Sequence, residues 1–174
     1  MNGPVLIGLM GSGKSSIGRR LAAKLKLPLI DLDDFIVERS GCSIPDIFER
    51  DGESGFRRLE TEALHEVIGK HAVIATGGGV VLSEANHSLL GDHPPVIWLK
   101  ASPKFLAGRI RGDANRPLIA AGGTQKILRE QAAERDPLYE QCADLILRRD
   151  KMKKGKIVKV IVKFLSEWHE THAA

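Results

Sequence analysis

Gly8-Leu9-Met10-Gly11-Ser12-Gly13-Lys14-Ser15 is the stretch whose reading decides the fold. It follows the apolar run Val5-Leu6-Ile7 and leads into residues 14–25, a helical pattern that Pro28 closes off. The spacing G-x-x-x-x-G-K-[ST] is met without a departure, and in the strand-then-helix context it requires. The glycines let backbone N–H groups turn inward around an anion. The following helix presents its positive end to the same place. A lysine at position 14 reaches the β- and γ-phosphates of a nucleotide, and the Ser15 hydroxyl is placed for Mg²⁺.

Outward from this loop, short apolar runs alternate with helical patterns, as in parallel α/β units. Strands are expected over 5–8, 29–32, 72–75, 96–99 and 145–147. Helices are expected over 14–25, 53–68, 124–139 and 157–168; the second puts Phe56, Leu59, Ala63 and Val67 on one face. Residues 112–123 are bounded by glycines at both ends, which suits a hinged flap as well as a plain surface loop.

A chain of 174 residues, 43% hydrophobic and 28% charged, fits one globular domain. The formal charge of +4 is mild, suits anionic small molecules and does not by itself point to nucleic acid. Cys42 and Cys142 lack metal-ligand spacing and are too few for a disulfide scaffold. The N-terminal residues show no basic leader, and a cytoplasmic enzyme is expected.

A phosphate loop names a superfamily and not a reaction, so the acceptor side must narrow it. No Asn-Lys-x-Asp guanine-reading motif is present. Asp31-Leu32-Asp33 closes the second strand, where alternation sends both carboxylates to one face. One suits a magnesium shell and the other an acceptor hydroxyl; an acidic turn capping the next helix at Asp33 or Asp34 is the alternative. Arg57 and Glu60 are i, i+3 neighbours, either a fork steadied for a carboxylate or a solvated surface pair. Thr76-Gly77-Gly78-Gly79 ends the third strand, where glycines admit a ligand close to the backbone.

Together with Gly52-Glu53-x-x-Phe56-Arg57-x-x-Glu60, Arg116-Pro117-Leu118 and Arg135-x-Pro137-Leu138-Tyr139, these motifs make the chain resemble the shikimate kinase family from Val5 to about Leu165. The resemblance implies a three-layer P-loop kinase fold. Its five-stranded parallel sheet of order 2-3-1-4-5 would be flanked by helices, in a single domain spanning 1–174. A mobile lid would cover about 112–123, and a substrate-binding helical segment about 33–61. It implies ATP and Mg²⁺, a γ-phosphoryl transfer to the 3-hydroxyl of shikimate, and a cytoplasmic monomer without nucleic-acid or membrane partners. Gly11, Ser12, Gly13, Lys14, Ser15 and Ser16 would hold the nucleotide, with Arg109 by the adenine. Ser15 and Asp31 would serve the metal. Lys14, Asp33 and Arg116, the last from the lid, would serve catalysis. Asp33, Arg57, Gly78, Gly79 and Arg135 would bind the substrate, and Phe48 and Phe56 would line its apolar side.

Two departures stand out. Ser16 replaces the family's usual threonine. Residues 148–156, Arg-Arg-Asp-Lys-Met-Lys-Lys-Gly-Lys, replace the family's adenine loop with a basic run. That run reads as a solvated charged face, with attraction to phosphates as the alternative. A gluconate-type kinase shares the loop and lid, but the carboxylate-and-diol constellation favours shikimate. A nucleoside monophosphate kinase would need a second base pocket. A non-catalytic sensor would not need the full catalytic set.

Overall fold

The structure is a computed structural model and describes residues 2–110 and 123–173. Five parallel strands, β1 (Val5–Ile7), β2 (Leu29–Asp31), β3 (Val73–Ala75), β4 (Val96–Lys100) and β5 (Leu145–Arg148), form one sheet in the order β2-β3-β1-β4-β5. The helices are α1 (Lys14–Leu25), α2 (Leu32–Ser40), α3 (Ile44–Val67), α4 (Glu84–Asp92), α5 (Pro103–Ile110), α6 (Thr124–Cys142) and α7 (Lys154–His172). The expected strand order and the span of α1 are those observed.

Strand alternation splits the core into two layers. Val5, Ile7, Ile74, Val96 and Trp98 face the side packed by helices α2 to α6. Leu6, Val73, Ile97 and Leu99 face α1 and α7, which close that side with Ile17, Leu21, Ile157, Ile161 and Leu165. Both faces of the sheet are thus covered, as a parallel sheet needs. With β1 between β3 and β4, the loop that follows it emerges at the middle of the sheet's carboxyl edge, the usual ligand crevice of such folds.

Several elements differ from expectation. Helix α3 begins nine residues before the expected 53, behind a Ser43 cap that accepts from the Asp46 N–H. Its two halves meet at Gly52, whose φ of 72° breaks the helical path and favours a residue without Cβ. The helical segment expected over about 33–61 corresponds to α2 and α3; its cap is Asp31, which accepts from the Asp34 N–H. Strand β2 therefore ends at Asp31, and Asp33 sits in the first turn of α2 rather than on the strand. The expected lid over 112–123, with Arg116 and the Arg116-Pro117-Leu118 motif, lies outside the described residues except for Gly123, which caps α6.

Candidate active site

The phosphate loop is built on backbone that only glycine adopts easily. Gly8, Gly11 and Gly13 have φ values of 145°, 82° and 97°. Gly13 is the N-cap of α1, and no side chain caps the helix there. The first-turn N–H groups are left to an outside acceptor, and the helix dipole favours an anionic one. Lys14, buried, curls over the loop and donates from Nζ to the carbonyls of Gly8 and Leu9.

A cleft of about 240 Å³ opens beside this loop, lined by Lys14, Ser15, Asp31, Asp33, Gly77, Gly78 and Arg109 among others. Ser15 Oγ donates to Asp31 Oδ2 at 2.6 Å. A hydroxyl and a carboxylate facing one cleft make an all-oxygen donor pair with room for water and phosphate, which fits Mg²⁺. Among the described residues no group of three His, Cys, Asp or Glu side chains is placed to hold a metal ion. Strand alternation does not bring Asp31 and Asp33 together as expected; the cap turn of α2 does. The acidic cap of the next helix falls on Asp31 and not on Asp33 or Asp34, which lie inside its first turn.

The acceptor side gathers around three successive glycines. A Cβ on Gly77 would lie 3.0 Å from Glu60 Oε2 and 3.1 Å from Asp33 Oδ1. One on Gly78 would lie 3.3 Å from Arg135 Nη1, and one on Gly79 would collide with the Arg57 guanidinium. Four charged side chains from α2, α3 and α6 thus close on one bare stretch of backbone. Arg57 and Glu60 are no surface pair. Glu60 is fully buried, and its Oε1 accepts from Arg57 Nη1 at 3.0 Å. Burial pushes the Glu60 carboxyl above the usual range, against the pull of Arg57. Arg57 Nε and Arg135 Nε are buried without a hydrogen-bond partner among the described residues. Unsatisfied buried guanidinium donors are costly and call for an anion. Arg57, Gly79 and Arg135 are outside the cleft's lining and adjoin it through Gly77 and Gly78.

Phe48 and Phe56 pack on each other at 4.9 Å between centroids, with the Arg57 guanidinium 5.2 Å from the Phe56 ring. They join the core cluster and do not line the cleft. Arg109 Nε donates to the Gly11 carbonyl at 3.0 Å.

The basic run is only partly solvated. Lys151, Lys153 and Lys156 are exposed, but Arg149 is buried, donates to the Met152 carbonyl at 2.9 Å and lies 5.3 Å from the Phe105 ring. Lys154 Nζ donates to Ser16 Oγ at 2.9 Å. A Cβ on Gly13 would lie 3.5 Å from Arg149 Nε, so two cations of the run are folded onto the phosphate loop. Burial and the neighbouring Arg109 lower the pKa of both. Nothing in the order of charges along 148–156 distinguishes these two from their solvated neighbours.

The shikimate kinase family model matches residues 10–166. A shikimate kinase of Stenotrophomonas maltophilia (strain R551-3) is 42% identical over 166 residues, covering 94% of this chain and 92% of its own. The solved shikimate kinase from Acinetobacter baumannii in complex with shikimate superposes with a TM-score of 0.92 at 33% identity, covering 96% of this chain and 94% of that one. A gluconokinase from Sinorhizobium meliloti 1021, at 17% identity and TM-score 0.62, shares the fold alone. Phosphate loop, buried guanidinium donors and full-length likeness agree, and the chain belongs to the shikimate kinase family.

Proposed function

We propose that this protein transfers the γ-phosphoryl group of ATP to the 3-hydroxyl of shikimate, giving shikimate 3-phosphate and ADP on the route to chorismate and the aromatic amino acids. The observation that carries the reading is the closure of Asp33, Arg57 and Arg135 on Gly77-Gly78-Gly79 beside the phosphate loop. A hydroxylated carboxylic acid matches that set. Its carboxylate answers the unsatisfied donors of Arg57 and Arg135, the N–H groups of Gly78 and Gly79 receive its oxygens, and its ring lies toward Phe48 and Phe56.

Phosphoryl transfer depends on positioning and on compensating charge. Gly11, Ser12, Gly13 and Ser16 cradle the phosphates, and Lys14 moves from its loop carbonyls to the β- and γ-phosphates. Asp33 orients the attacking hydroxyl and takes its proton. Ser15 and Asp31 would hold Mg²⁺, which would neutralise phosphate charge there. Arg109, Arg149 and Lys154 form a cationic wall for the nucleotide. Arg116, from a lid over 112–123, completes the charge around the transferring group and excludes water.

The enzyme is read as one P-loop kinase domain over 1–174, acting as a cytoplasmic monomer without nucleic-acid partners. Among the described residues no helix is long and apolar enough to cross a membrane. A coupled ADP-release assay with ATP and Mg²⁺ tests the reaction, with shikimate, gluconate or no acceptor. Turnover with shikimate alone supports it; turnover with gluconate alone, or equal turnover without an acceptor, overturns it.

A further inference from the structure

Tyr139 is fully buried, and no step above uses it. It follows Arg135 by four residues on α6, so both side chains leave the helix on one face. Its ring packs on Trp98, 5.5 Å between centroids. Its hydroxyl donates to the Gly78 carbonyl, and the Arg135 guanidinium sits against the same phenol. Burial pushes the phenol above its ordinary range, so it stays a neutral donor.

The Gly78 carbonyl and the Gly79 N–H are the two ends of one peptide unit, and in a trans peptide they point in opposite directions. A Gly-Gly peptide has little stiffness of its own. Its flanks are tied down: Thr76 bonds the Leu6 carbonyl through N–H and Oγ1, and the Leu82 N–H bonds the Gly79 carbonyl at 3.1 Å. Between them, the tyrosine hydroxyl holds the intervening plane. We propose that Tyr139 is a positioning residue of the acceptor site, whose hydroxyl sets the direction of the Gly79 N–H and the place of the Arg135 guanidinium together. The inference rests on the acceptor reading given above.

Tyr139→Phe keeps the ring on Trp98 and removes only the hydroxyl. The shikimate KM should rise about tenfold, the loss of a hydrogen bond or two, while the ATP KM stays within about twofold. Trp98→Phe loosens the same packing without touching the hydroxyl and should lower the thermal midpoint with the shikimate KM unchanged. Tyr139 is the chain's single tyrosine, so 3-fluorotyrosine labels it alone. In the labelled protein the ¹⁹F resonance should shift on adding shikimate and hold still on adding ADP, a readout that survives if the Phe variant fails to fold. An unchanged shikimate KM in Tyr139→Phe, or a ¹⁹F signal blind to shikimate, overturns the inference alone. A wild-type enzyme that does not turn over shikimate overturns the acceptor reading, and this inference with it.

Discussion

Ser15 and Asp31 are joined across the mouth of the cleft by a 2.6 Å hydrogen bond from the serine hydroxyl to the carboxylate. The bond ties the first turn of α1 to the end of β2, 16 residues apart in sequence. It holds two hard oxygen donors where a small divalent cation and its waters would sit.

Asp31→Asn keeps the cap oxygen but removes the charge. Half-maximal activity should then need about tenfold more Mg²⁺, the scale of one charge-assisted contact. A magnesium titration of ADP release checks this, and chelation by EDTA should silence the wild type. An unchanged magnesium requirement would remove Asp31 from the metal site.

Asp33→Asn should lower turnover by about 10²–10⁴, the range of general acid–base assistance, while ATP still binds. Turnover paired with nucleotide titration separates the two effects. Retained turnover would take Asp33 out of the proton transfer.

Gly79→Ala isolates a steric relation. Gly79 has φ −92° and ψ 9°, which alanine can adopt, so the backbone tolerates the change. The new methyl collides with the Arg57 guanidinium. The shikimate KM should rise about 10–100-fold, with the ATP KM and the thermal midpoint little altered. Equal losses for both substrates would instead indicate a disturbed fold.

Glu60 gives a pH signature. Its carboxyl is raised by burial, so on acidification it takes a proton at a pH above the ordinary glutamate value of about 4.3. Protonation removes the charge that steadies Arg57. The shikimate KM should therefore climb as pH falls through that window. In Glu60→Gln it should be high throughout and lack that acid limb. A pH series of KM for both forms checks this.

Lys154→Met removes the cation that bonds Ser16. The ATP KM should rise several-fold, by an amount that shrinks with added salt, and the shikimate KM should not move. A salt-insensitive or absent effect would return Lys154 to the solvated face.

Much of this was legible in the residues. The phosphate loop announces itself because its spacing is dictated by the anion, and the strand order came with the family likeness. A helical segment after the second strand comes with the family likeness, but its exact start does not, because Asp31 ends a strand and caps a helix at once. The i, i+3 spacing of Arg57 and Glu60 leaves a steadied fork and a surface pair both open, because spacing does not reveal which side of a helix is buried. Arg149 and Lys154 were lost in a run of like charges, since their burial depends on where Phe105 and Ser16 lie in space.

The central place of β1 has one more consequence. The groups read as meeting the acceptor hang from the ends of β2 and β3, with Arg135 crossing over from α6. Those read as meeting the nucleotide hang from β1 itself and from the segments after β4 and β5. On that reading, donor and acceptor recognition would occupy opposite halves of the sheet and meet at Lys14. Substitutions in one half can accumulate without erasing the other, so a scaffold of this layout can change its acceptor over evolutionary time while keeping its ATP.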